Sequence, residues 1–181
     1  MTTTAPDYET RAAALGLTIP DYGRDPYYGA RYGSMKPHHI VGNVLYLSGH
    51  VPERADGSPL HPGRVGAEVT VEEGYLAARQ TGLNCLGGIR AALGSLNQVR
   101  GIVRTLCFVA IDPEFSDVHL VSSGCTDLFR DVFGDEAGLG GRATIGVVRL
   151  ANNHCFENWL TVEIAPQEAE LFSQSRDDQP R

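Results

Sequence analysis

Residues 70–94 restrict the fold more than any other stretch. Thr70 and Glu73 stand at the spacing of a capping box, and Gly94 sits where a helix stops. Between them Leu76, Gln80, Leu83, Leu86 or Gly87, Arg90 and Leu93 recur at helical spacing, with apolar residues dominating one face. Ala77, Ala78, Gly82, Gly87 and Gly88 keep other parts of the helix slim, which suits close packing on a sheet. The rest of the chain must then supply that sheet.

Several stretches have strand character. IVGNVLYLSGHV (40–51) reads as a hairpin turning at Gly42-Asn43 and running into a β segment. The loop from Glu53 to Gly66 leaves room for a short second strand. NQVRGIVRTLCFVAI (97–111) is too continuously apolar for a one-sided strand and is expected to lie centrally. Asp112-Pro113 ends it. A second helix is expected over Asp117–Phe133, with Ser116 as N-cap and Gly134 as stop. Ala143–Leu150 and Leu160–Ala165 supply two more strands. The predicted architecture is α+β, a two-layer sandwich with two helices on one face of a mixed sheet.

The flanks differ in character. A short helix over Asp7–Leu15 is followed by a Pro-, Gly- and Tyr-rich arm to about residue 34, carrying Tyr22, Tyr27, Tyr28 and Tyr32. Those tyrosines either pack or wall a ligand pocket or subunit contact. Residues 35–166 form the domain, and the polar stretch 167–181 is expected to fray.

Composition narrows the function. The 181 residues carry a formal net charge of −7, which argues against a general nucleic-acid binder. No apolar run approaches the ~20 residues of a spanning helix, and MTTTAPDYET lacks the pattern of a secretory signal. A cytoplasmic protein with reduced, buried cysteines at 85, 107, 125 and 155 is therefore expected. The histidines show no metal-binding helix spacing, so neither metal nor other cofactor is predicted. GLGGR lacks the ending of a phosphate loop and precedes a strand. His154-Cys155 is more simply inert core than a nucleophile.

Chemistry concentrates in GLGGRATIGVVRLANNHCFENWLTVE (138–163). Arg142 follows a glycine cluster at the mouth of a β run. It is either a solvated side chain or a rigid fork for a carboxylate.

The order and spacing of several segments resemble the RidA/YjgF-like family. VGNVLYLSGHVP resembles its G-N-x-x-x-x-S-G-x-x-P signature, and GGRATIGVVRL its segment with a functional arginine. LFRDVFG is similar to the end of its second helix, and WLTVEIA to its terminal strand. RAAALGLTIP and the arm look like a larger branch, so the resemblance spans about residues 11–166. It implies a chorismate-mutase-like fold, a homotrimer with intersubunit clefts, and hydrolysis of 2-imino or 2-enamino carboxylates to 2-oxo acids and ammonia. By position, Arg142 would hold the substrate carboxylate and Glu163 would serve as the catalytic carboxylate. Ser48, Gly49, His50, Thr126, Thr144, Thr161 and Met35 would line the substrate site. Met35 stands where the family commonly has Tyr, and Thr161 where it has the first Glu of E-x-E. Glu157 is the second carboxylate candidate if the strand register slips. A non-catalytic binder of small carboxylates and a pathway-specific enzyme reusing the cleft are the alternative functions.

Overall fold

The structure, a computed structural model, describes residues 7–22 and 33–166. Tyr27, Tyr28, Tyr32 and the C-terminal stretch lie outside the described residues. Helix α1, Tyr8–Ala14, begins at Asp7, whose carboxylate accepts from the Thr10 N–H at 3.0 Å. Two side chains tie α1 down: Glu9 accepts from Arg90 and from the Leu96 N–H, and Asn97 accepts from the Tyr8 N–H. Tyr8 also meets Phe133 edge-on, with ring centroids 4.9 Å apart.

Strands β1 (His38–Val41) and β2 (Val44–Leu47) form the expected hairpin, with Gly42 at φ 55°. The loop beyond holds only isolated bridges, Glu53 with Pro59 and Val65 with Val69, and no second strand. Helix α2, Val71–Leu93, has both halves of its capping box and ends at Gly94 in the left-handed region. Its buried face departs from the expected one. Leu76 is 51% exposed, whereas Gly74, Ala77, Ala78, Thr81, Gly82, Cys85 and Gly88 are buried. The reason is steric. A Cβ on Gly82 would lie 2.8 Å from Leu128, and one on Gly124 only 2.0 Å from the Tyr75 carbonyl oxygen. The helices approach so closely that small residues, not bulky ones, mark the contact.

Strand β3 (Val99–Ala110) is bonded on both sides, but Val103 on one face is 49% exposed, so centrality in pairing is not burial on both faces. Helix α3 spans Val118–Gly138. Asp117, not Ser116, is its N-cap, and at Gly134 (φ 82°) the helix breaks and resumes instead of stopping. Strand β4 covers Gly141–Val147 and β5 Phe156–Ile164. Both begin earlier than expected, β5 by four residues from Leu160. Left-handed Asn152 and Asn153 make the turn between them.

The sheet order is β1-β2-β5-β3-β4, with β3 and β4 parallel and the other pairs antiparallel. The sheet is mixed, and α2 and α3 cover one face. The core between the layers includes Leu45, Leu86, Val109, Leu128, Phe129, Leu160 and Val162. At its centre the Asn158 amide lies within 3.6–3.7 Å of the sulfurs of Cys85, Cys107 and Cys125. The opposite face is open. Val41, Tyr46, Val103, Ile145 and Trp159 are each about half exposed there, and no described residue packs over them. Among the described residues no helix is long and apolar enough to cross a membrane.

Candidate functional site

Arg142 is the second residue of edge strand β4. Gly140 lets the chain enter the sheet flush with β3, since a Cβ there would fall 2.2 Å from the Ile102 carbonyl oxygen. Strand alternation puts Arg142 and Thr144 on the helix side, level with Thr105 and Cys107 of β3. There the guanidinium meets α3: Nη1 donates to Thr126 Oγ1 at 2.9 Å and to Ser123 Oγ at 3.3 Å. Nε and Nη2 make no hydrogen bond among the described residues, and the side chain is exposed. One arm of the fork is held and the other is open, the geometry of a prepared anion grip. Thr126 thus positions Arg142. Thr144 is engaged with Ser122, hydroxyl to hydroxyl at 2.8 Å. Sequence reading missed Ser122 and Ser123. Their signal was present: Ser123 stands three residues before Thr126, on the same flank of a helix.

A second group of predicted residues meets on the open face. Met35, Ser48, Gly49 and Thr161 line a cleft of about 660 Å³, together with Arg104, Glu157 and Trp159. Ser48 Oγ donates to the Lys36 carbonyl, which fixes the entry of the strand extension. Gly49 leaves room for a close approach by two side chains: a Cβ would lie 2.2 Å from Glu157 Oε1 and 2.8 Å from Trp159 Nε1, so a side chain here would displace them. Its N–H makes no hydrogen bond among the described residues. Trp159 Nε1 donates to Glu157 Oε1 at 2.6 Å, which leaves Oε2 to the cleft.

Two predicted residues lie elsewhere. Glu163 shares the open face with Glu157, because residues two apart on a strand point the same way. It sits six residues further along, beside the β1–β2 turn, with Asn43 donating to it at 3.5 Å. The early start of β5 explains the difference, since it places Glu157, not Glu163, against Gly49. His50 is buried instead of lining the cleft. Its backbone pairs with Asn158, Nδ1 lies 2.7 Å from the Ser48 carbonyl oxygen, and Nε2 packs over Gly88 of α2. Burial pushes its pKa down to about 4 against the raising effect of the Ser48 carbonyl, so the ring is neutral near pH 7.

Other chemistries find little support. Burial pushes the Cys85, Cys107 and Cys155 thiols up to about 12, which removes the thiolate a nucleophile needs. Among the described residues no group of three or more His, Cys, Asp or Glu is arranged to hold a metal ion.

The Arg142 guanidinium and the main open-face cleft lie on opposite faces of the sheet, with β3 between β4 and β5. At the sheet edge Arg142 also borders a shallower pocket of about 520 Å³ with Arg104, Tyr46 and Thr161. Two half-sites are therefore on view, an anion grip at one edge and a carboxylate-bearing cleft on the open face.

Comparison with known proteins places this arrangement. Residues 9–160 match the family described as "YjgF/chorismate mutase-like, putative endoribonuclease". The protein TCP17 of Trypanosoma cruzi is 38% identical over 123 residues, which is 68% of this chain and 76% of that protein. The solved structure of Atu1372 from Agrobacterium tumefaciens, a protein with unknown function, is 34% identical with a TM-score of 0.75, over 87% of this chain and 93% of that one. A "putative endoribonuclease" from Shewanella oneidensis is 29% identical with a TM-score of 0.78, over 88% of this chain and 100% of that one. With the family match covering most of the chain and the same α+β layers in its relatives, this protein belongs to the YjgF/chorismate-mutase-like family, whose structural relatives include RidA.

Proposed function

We propose that the protein is a hydrolase that converts a 2-imino or 2-enamino carboxylate to the 2-oxo acid and ammonia. The reaction takes place where the Arg142 edge of one chain meets the open-face cleft of another in a homotrimer. The half-held Arg142 fork carries the reading, because its free donors suit a bidentate carboxylate. The uncovered apolar sheet face supports association with further copies. No cofactor is needed, the partners are a small carboxylate and the chain itself, and the setting is cytoplasmic. The net charge of −7 favours a small anion over a nucleic acid.

The steps follow from the groups present. An enamine first takes a proton on carbon to give the iminium. Arg142 holds the carboxylate, and such positioning supplies several kcal/mol of the barrier reduction. Glu157 Oε2 orients a water and accepts its proton as the oxygen adds to the imine carbon. The resulting carbinolamine nitrogen is protonated, the C–N bond breaks, and ammonia leaves with the 2-oxo acid behind. General base help of this kind contributes roughly 10²–10⁴-fold. The unbonded Gly49 N–H is placed to steady the developing oxygen.

The test generates 2-aminoacrylate in situ and follows imine loss by semicarbazone trapping. Wild type accelerates the loss. Arg142→Ala abolishes the acceleration, Glu157→Gln lowers it at least a hundredfold, and Glu163→Gln leaves it within twofold. Unimpaired turnover in Arg142→Ala rules the reading out. Sedimentation at three times 19.5 kDa is expected, and a stable monomer contradicts the shared site.

A further inference from the structure

The open-face cleft contains an arginine that the proposed reaction does not use. Arg104 stands on β3 directly opposite Thr161 of β5 and Gly141 of β4, and its side chain is exposed on the open face. It has no ion pair or hydrogen bond among the described residues. Lys36, at the rim of the same cleft, likewise has no carboxylate partner. In a chain with a net charge of −7, two cations without ion-pair partners along one cleft favour an anionic occupant there. Of the two carboxylates on this face of β5, Glu157 is engaged by Trp159 and Glu163, two residues beyond Thr161, is engaged by Asn43, and neither forms an ion pair with Arg104.

Sheet register gives the spacing. Arg104 shares a rung with Thr161, Trp159 and Leu106 form the next rung, and Glu157 lies one rung beyond. Four residues along a strand span about 13 Å, and the long arginine side chain shortens that gap, so its guanidinium can meet a side-chain acid a few carbons from the reacting carbon beside Glu157. Trp159 and Leu106 lie under the middle of the span and offer apolar surface to a carbon chain. Gly141 next to Arg104 leaves its guanidinium unobstructed on the β4 side.

We propose that Arg104 binds a second acidic group at the far end of the substrate, so that the preferred substrates are imines of amino acids with an acidic side chain. This rests on the proposed deaminase reading for the word substrate, but the dicarboxylate subsite is measurable without turnover. Trp159 is the chain's single tryptophan, and its emission reports directly on occupancy of the cleft.

The experiment titrates the full chain with glutarate and with butyrate, following Trp159 emission. Glutarate binds at least tenfold more tightly than butyrate. Arg104→Ala brings glutarate to the butyrate level while leaving butyrate unchanged, and Arg104→Lys restores part of the difference. Arg142→Ala weakens both ligands alike. An unchanged glutarate-to-butyrate ratio in Arg104→Ala overturns the proposal, as does the absence of any emission change with glutarate. Turnover of imines generated from glutamate and from alanine is measured in parallel. Arg104-dependent glutarate binding with neither imine hydrolysed defeats only the deaminase reading. Equal hydrolysis of both imines, unaffected by Arg104→Ala, defeats only the subsite.

Discussion

Gly124→Ala tests whether the contact between α2 and α3 sets the site. In an isolated helix the substitution is favourable by up to about 1 kcal/mol. Here the new Cβ would stand 2.0 Å from the Tyr75 carbonyl oxygen, 2.9 Å from its carbon and 3.1 Å from the Arg79 nitrogen. All three are backbone atoms, so no side chain can swing aside. Relief requires the helices to part by about 1 Å, and overpacking of this kind costs about 1–3 kcal/mol or more. The upper part of that range applies, and net destabilisation of about 2 kcal/mol is expected. Gly124 lies between Ser123 and Thr126, so the same displacement moves the hydroxyls that hold Arg142. Urea unfolding gives the stability change, and the imine assay gives the effect on turnover. A Gly124→Ala protein as stable as wild type or more so refutes the account, because helix propensity would then have won over the clash.

Two further predictions concern single groups. Thr126→Val removes the shorter of the two bonds to Arg142 while keeping shape, and an approximately tenfold loss in kcat/KM with unchanged unfolding midpoint is expected. Below neutral pH, buried His50 destabilises the fold. Its folded pKa of about 4 lies below the ordinary 6.5, so its stabilising contribution is complete above 6.5 and is lost as pH falls toward 4. The contribution of His50 between pH 7 and pH 5 is about 2 kcal/mol. Denaturation at the two pH values measures it, and a His50→Gln variant should lose that part of the slope.

What the sequence made legible follows from how local each signal is. The capping box, the Gly94 stop and the Gly42-Asn43 turn act within a few residues, and all three stand where expected. The buried face of α2 was misjudged because bulk is a poor guide when two helices and a sheet meet at van der Waals distance. Gly134 resembled a stop because its φ of 82° does break the helix, yet the chain beyond it resumes. At the site, Arg142, Ser48 and Gly49 were visible from motif order. The choice between the two carboxylate candidates, Glu163 and Glu157, was left to the strand register, because it depends on where β5 begins. That start follows from the Asn152-Asn153 turn and the pairing of His50 with Asn158, both outside any strand pattern. His50 was misplaced for the same reason: one step of strand parity decides between cleft and core.

The placement of Arg142 and the open-face cleft on opposite sides of one sheet has a consequence for how activity scales. Under the proposed function no isolated chain holds a complete site, so turnover per chain is governed by mass action. At low concentration, where trimers dissociate, the rate rises as a steep power of total protein. Above the dissociation range it becomes linear. A dilution series therefore reads the assembly constant from kinetics alone. A mixture of Arg142→Ala and Glu157→Gln chains, each inactive, regains turnover in those mixed trimers that pair one intact edge with one intact cleft.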